Sequence, residues 1–98
     1  MTEVEVPLAE TVDLAAVEKA VDAAAEAEGL TTTMKSTLST YPGSIHWHFK
    51  RGKEKGTLEA TLWPKARRLW FSVHARRGGP WIEASIASMQ TEISRKRL

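Results

Sequence analysis

Three short stretches in the second half of the chain alternate between apolar and polar positions. Ile45, Trp47 and Phe49 alternate with His46, His48 and Lys50. Leu58, Ala60 and Leu62 alternate with Glu59, Thr61 and Trp63, and Leu69, Phe71 and Val73 with Trp70, Ser72 and His74. A period of two predicts β-strands with one buried face. The preceding segment, Thr31 to Tyr41, is rich in β-branched threonine and predicts a fourth strand with Met34 and Leu38 on one face. Tyr41-Pro42-Gly43-Ser44 has proline and glycine where a type II turn requires them. The polar loop Arg51 to Gly56 and the Pro64 to Arg67 turn join the remaining strands into an antiparallel meander. Thr2 to Val6 also alternates and is a candidate short edge strand ended by Pro7.

The period changes on either side of this block. Leu14, Val17, Val21 and Ala24 recur at helical spacing between Asp13, an N-cap residue type, and Gly29, a C-terminal stop. Glu18, Asp22 and Glu26 fall on the outer face and read as solvated surface. Pro80 sits where a first helical turn accepts it, ahead of a stripe of Ile82, Ile86, Met89 and Ile93. The expected fold is α+β, a two-layer αββββα sandwich. A four-stranded antiparallel meander carries both helices on one face, all within one domain over residues 1–98.

Centring the three turns pairs Leu38 with Trp47, Trp47 with Ala60, and Ala60 with Phe71, so the apolar sets share one face. Trp47, Phe49, Leu62 and Phe71 are then core. Tyr41, His46, His48, Glu59, Thr61, Trp63, Trp70, Ser72 and His74 fall on the opposite, open face.

At 98 residues the chain is too short for a cofactor-binding fold with an enclosed active site, and no cofactor is expected. Cysteine is absent, which removes disulfides and thiolate metal sites and makes a reducing, cytoplasmic setting the expectation. The first fifteen residues carry acids but no lysine or arginine, unlike a secretory or transit leader, and no apolar run reaches the ~20 residues of a membrane span. A formal net charge of +2 conceals a division. Residues 1–49 hold two basic and eight acidic side chains, a balance of −6, whereas residues 50–98 hold twelve and four, a balance of +8. Such asymmetry bears on partners rather than fold.

The candidate chemistry is sparse. His46 and His48 have the alternate spacing of strand-borne metal ligands. With His74 two strands from His48, roughly 10 Å away at ~4.8 Å per strand, only His48 and Glu59 are expected to be neighbours, and no metal is expected. The row His48, Glu59, Ser72 puts a carboxylate where a catalytic triad needs its histidine, so no enzyme is expected. Trp63 and Trp70 meet near the Pro64 turn on the open face and, with Tyr41 and His46, read as a contact surface.

Topology gathers Lys50, Arg51, Lys53 and Lys55 with Arg76 and Arg77 at one end of the sheet, with Lys35 beside them. Lys65, Arg67 and Arg68 meet Arg95, Lys96 and Arg97 at the other end. Gly78 and Gly79 before a helix N-terminus suit an anion, but Pro80 removes a donor and no GxGxxG or P-loop pattern is present. The order of elements is similar to that of the double-stranded RNA-binding domain, with one strand more and with Pro80-Trp81-Ile82-Glu83 in place of that family's lysine-rich second-helix start. With Thr2 to Val6 as a strand it looks like half of a TATA-binding saddle. Both are likenesses of fold, which do not carry function. The expectation is a small binding module, for nucleic acid through the basic ends and the aromatic face, or for a protein partner or second copy through the open face.

Overall fold

A computed structural model describes residues 2–96. The chain runs β1 (Thr2–Val6), α1 (Leu14–Ala27), β2 (Thr31–Ser36), β3 (Ile45–Lys50), β4 (Leu58–Trp63), β5 (Arg68–Val73) and α2 (Ile82–Arg95). The strands form one antiparallel sheet in the order β1-β5-β4-β3-β2. The α+β sandwich expected from the pattern is present, and the candidate N-terminal strand is its fifth strand, pairing Val4 with Phe71.

Both helices cover one face. The Asp13 side chain accepts from the Ala15 amide at 3.0 Å and starts α1. Gly29, at φ 73°, ends it in the left-handed conformation that glycine tolerates best. Val17, Ala20, Val21 and Ala24 of α1 and Ile82, Ile86, Met89 and Ile93 of α2 bury themselves against Trp47, Phe49, Leu58, Leu62, Leu69 and Phe71. The short alanine side chains let α1 lie close to the sheet. Trp47→Ala60→Phe71 runs straight across β3, β4 and β5, as centring the turns requires. Asp22 is not merely solvated. Its Oδ1 accepts from the Trp47 indole at 2.9 Å, satisfying the one polar atom of a fully buried ring.

The first hairpin departs from expectation. Strand β2 ends at Ser36, and Lys35 rather than Leu38 lies opposite Trp47. Threonine content makes the segment read as one long strand, but a register shift between Thr32 and Met34 interrupts the ladder. Residues 37–44 form a loop instead, closed by Tyr41 N→Leu38 O, Ser44 N→Tyr41 O and Leu38 N→Ser44 Oγ. The second of these bonds, with Gly43 at φ 79°, is the expected Pro-Gly turn. Met34 therefore opposes His48 on the free face and stays exposed rather than entering the core. Lys35, expected beside the basic loops, instead binds Glu18 and Asp22 of α1 at 2.8 and 3.0 Å.

Candidate functional site

The face of the sheet away from the helices is not flat. A basin of about 600 Å³ lies on it, lined by Met34 of β2, Leu38 of the 37–44 loop, His46, His48 and Glu59 of the sheet, and His74, Arg76 and Arg77 of the β5–α2 loop.

Its floor is built around Glu59, a β4 carboxylate 5% exposed. Glu59 opposes His48 on β3 and Ser72 on β5. His46, two residues from His48 on the same face, leans across so that its Nε2 is 3.0 Å from Glu59 Oε1. His48 Nε2 lies 3.4 Å from the same oxygen and 3.1 Å from His46 Nε2. His74, beyond the end of β5, brings its Nε2 to 3.3 Å from Glu59 Oε2. That contact is within range of charge attraction but is not aligned as a hydrogen bond, and Oε2 makes none although it is fully buried. On the far side of the His46 ring, Nδ1 and Thr61 Oγ1 are 2.8 Å apart. Burial pushes His46 below the ordinary imidazole value, against the opposing pull of the Glu59 carboxylate.

The expectation that only His48 and Glu59 would meet is thus corrected. The distance between outer strands separates His48 from His74, but Glu59 stands on the strand between them and offers one oxygen to each side. Backbone spacing is not the limit, because imidazole and glutamate side chains each reach sideways across a ~4.8 Å strand gap. The row His48, Glu59, Ser72 has the expected register: Ser72 opposes Glu59, and the carboxylate lies between it and the histidines.

The aromatic surface is also corrected. Trp70 is buried, 4% exposed. Tyr41 packs edge-on against Trp63 and Trp70, with ring centroids 4.9 and 5.2 Å away, and the Arg68 guanidinium lies 4.7 Å over the Trp70 ring. The Trp63 indole donates to the Pro42 carbonyl at 3.2 Å. These rings pack on one another and on the 37–44 loop, leaving Trp63 and Tyr41 half-buried, and Tyr41 and Trp70 line a small cavity of about 190 Å³ beside His46 and Thr61.

The basic residues divide by end. Arg68 binds Glu5 through two hydrogen bonds of 2.7 and 3.1 Å, which hold its guanidinium above its ordinary value, and Arg67 donates to the Val12 carbonyl. Lys65 is exposed, Arg95 and Lys96 close α2, and Arg97 lies outside the described residues. At the other end the β3–β4 and β5–α2 loops are tied together. Thr57 N donates to Arg77 O at 2.8 Å and the Trp81 indole to Lys55 O at 2.8 Å. A Cβ on Gly79 would collide with the Lys55 carbonyl oxygen, and one on Gly56 would come within 2.9 Å of Arg77 O. The Gly78-Gly79-Pro80 segment therefore joins loop to loop, and α2 begins only at Ile82, after the buried Trp81. Half-buried Lys50 and exposed Arg51, Lys53, Lys55, Arg76 and Arg77 gather here, and Arg76 and Arg77 form the basin's wall. Among them Arg51 pairs with Glu54 at 3.4 Å.

Comparison with protein-family models, with curated proteins and with solved structures gives no match. Among the described residues, no helix is long and apolar enough to cross a membrane.

Proposed function

We propose that this protein is a non-catalytic binding module for a phosphate-bearing ligand, a single strand of nucleic acid, held where the two basic loops meet the basin. The observation that carries the reading is the pair of hydrogen bonds, Thr57 to Arg77 and Trp81 to Lys55, that clamps the β3–β4 loop to the β5–α2 loop. Cations from sequence-distant segments are thereby held as one patch, before any ligand arrives, beside a concavity large enough for a nucleotide. Preorganisation of this kind lowers the entropy cost of binding. With Trp70 buried, recognition is expected to rest on the sugar-phosphate backbone more than on stacked bases, so base composition should matter little. The absence of cysteine supports a cytoplasmic setting.

Fluorescence anisotropy with a labelled oligothymidine, read beside competition by inorganic phosphate and a mononucleotide, tests the reading. Binding at low salt that weakens as salt rises supports it. Competition by the mononucleotide at equal affinity would point to a small phosphate ligand instead. No binding in any arm, with a dimer in light scattering, would transfer the free face to a second copy of the chain.

A further inference from the structure

Three donor atoms on the basin floor form a triangle: His46 Nε2, His48 Nε2 and Glu59 Oε1, with edges of 3.0, 3.1 and 3.4 Å. Hydrogen atoms alone cannot serve all three edges. Each imidazole Nε2 carries either a proton or a lone pair, and an ionised carboxylate only accepts. If both nitrogens donate to Glu59, two N–H groups face each other across the short third edge. If one nitrogen gives up its proton to accept from the other, its lone pair faces the carboxylate. A shared cation satisfies every edge at once.

The dimensions fit a particular cation. Zinc bonds of ~2.0–2.1 Å to nitrogen and oxygen in a tetrahedron put neighbouring donors about 3.3–3.4 Å apart. The observed edges lie within a few tenths of an ångström of that value, and all the donor atoms lie within 4.8 Å of one another. The surroundings also suit a metal. Thr61 Oγ1, 2.8 Å from His46 Nδ1, can accept that proton and leave the Nε2 lone pair directed at the cation. Glu59 Oε2 is buried and makes no hydrogen bond, and His74 stands 3.3 Å from it.

We propose that His46, His48 and Glu59 bind a zinc ion, with Thr61 and His74 as positioning residues and the fourth coordination place left to water or to an anion in the basin. No bond is made or broken beyond coordination and the release of protons from the ligands. Zinc binding goes beyond the phosphate-ligand reading and is measured without any such ligand, so either can fail alone.

The test is titration of the full chain, first stripped with chelator, with zinc and with cobalt. Expected are one equivalent bound per chain and the intense visible absorption of tetrahedral cobalt. Affinity should fall by more than about 100-fold in Glu59→Gln or His48→Gln, and by roughly 10- to 100-fold in His74→Ala. Should the variants fold poorly, nitrogen NMR of the wild-type imidazoles decides: zinc must shift the Nε2 resonances of His46 and His48. Zinc affinity equal in wild type and Glu59→Gln, or His46 and His48 resonances that ignore saturating zinc, would overturn the proposal.

Discussion

His46 and Glu59 do not face each other in the sheet. His46 pairs with Thr61 and Glu59 with His48, yet the diagonal brings His46 Nε2 to 3.0 Å from Glu59 Oε1. This diagonal gathers both β3 histidines on one side of a single buried carboxylate, while His74 reaches its other oxygen.

The first expected outcome is a metal-dependent melting temperature. A ligand that binds only the folded state stabilises it by about 2.7 kcal/mol when present at 100 times its Kd. Scanning calorimetry should show this gain on adding zinc to the wild type and its reversal by chelator. Glu59→Gln, which keeps the side-chain shape without the charge, should melt at the same temperature with or without zinc.

Phe71 is fully buried and lies opposite both Val4 and Ala60. Phe71→Ala should cost roughly 3–5 kcal/mol in urea denaturation. A loss no larger than that of a surface substitution would invert the assignment of the two sheet faces.

That assignment is legible in the sequence because β3, β4 and β5 alternate without interruption, and their register follows from the turns. Val4 and Val6 against Glu3 and Glu5 similarly announce β1. The first hairpin is not legible. Threonine favours strands but does not say where a strand stops, and the bulge before Met34 leaves no periodic trace. The basic end is readable from topology, whereas its clamp depends on Gly79 meeting a carbonyl 24 positions earlier. The histidine cluster escapes a reading by strand spacing, because its side chains lean diagonally. His46 and Glu59 sharing a sheet face is the signal the sequence does carry.

Trp70 is buried against Tyr41 and beneath the Arg68 guanidinium. Trp70→Ala should therefore act as a core truncation, lowering stability by about 3–5 kcal/mol. Chemical denaturation checks this. A variant of unchanged stability that loses oligonucleotide affinity would instead make the ring a stacking surface.

Gly79→Ala should separate the two basic loops, because the added methyl meets the Lys55 carbonyl. Forcing atoms into a filled space costs typically about 1–3 kcal/mol. Amide exchange of Thr57, which donates to Arg77 O, should quicken in this variant. Unchanged exchange would show that the clamp tolerates the methyl.

The basic patch itself is tested most directly by oligothymidine affinity as a function of salt, in wild type and in Arg76→Ala/Arg77→Ala. The wild type should give a linear plot of log affinity against log salt, with a slope of about −0.7 for each phosphate neutralised. Removing both arginines should flatten that slope by about 0.7 for each phosphate left without its arginine. A wild type that fails to bind at low salt, or a double variant with an unchanged slope, would contradict a phosphate-binding role for the clamped loops.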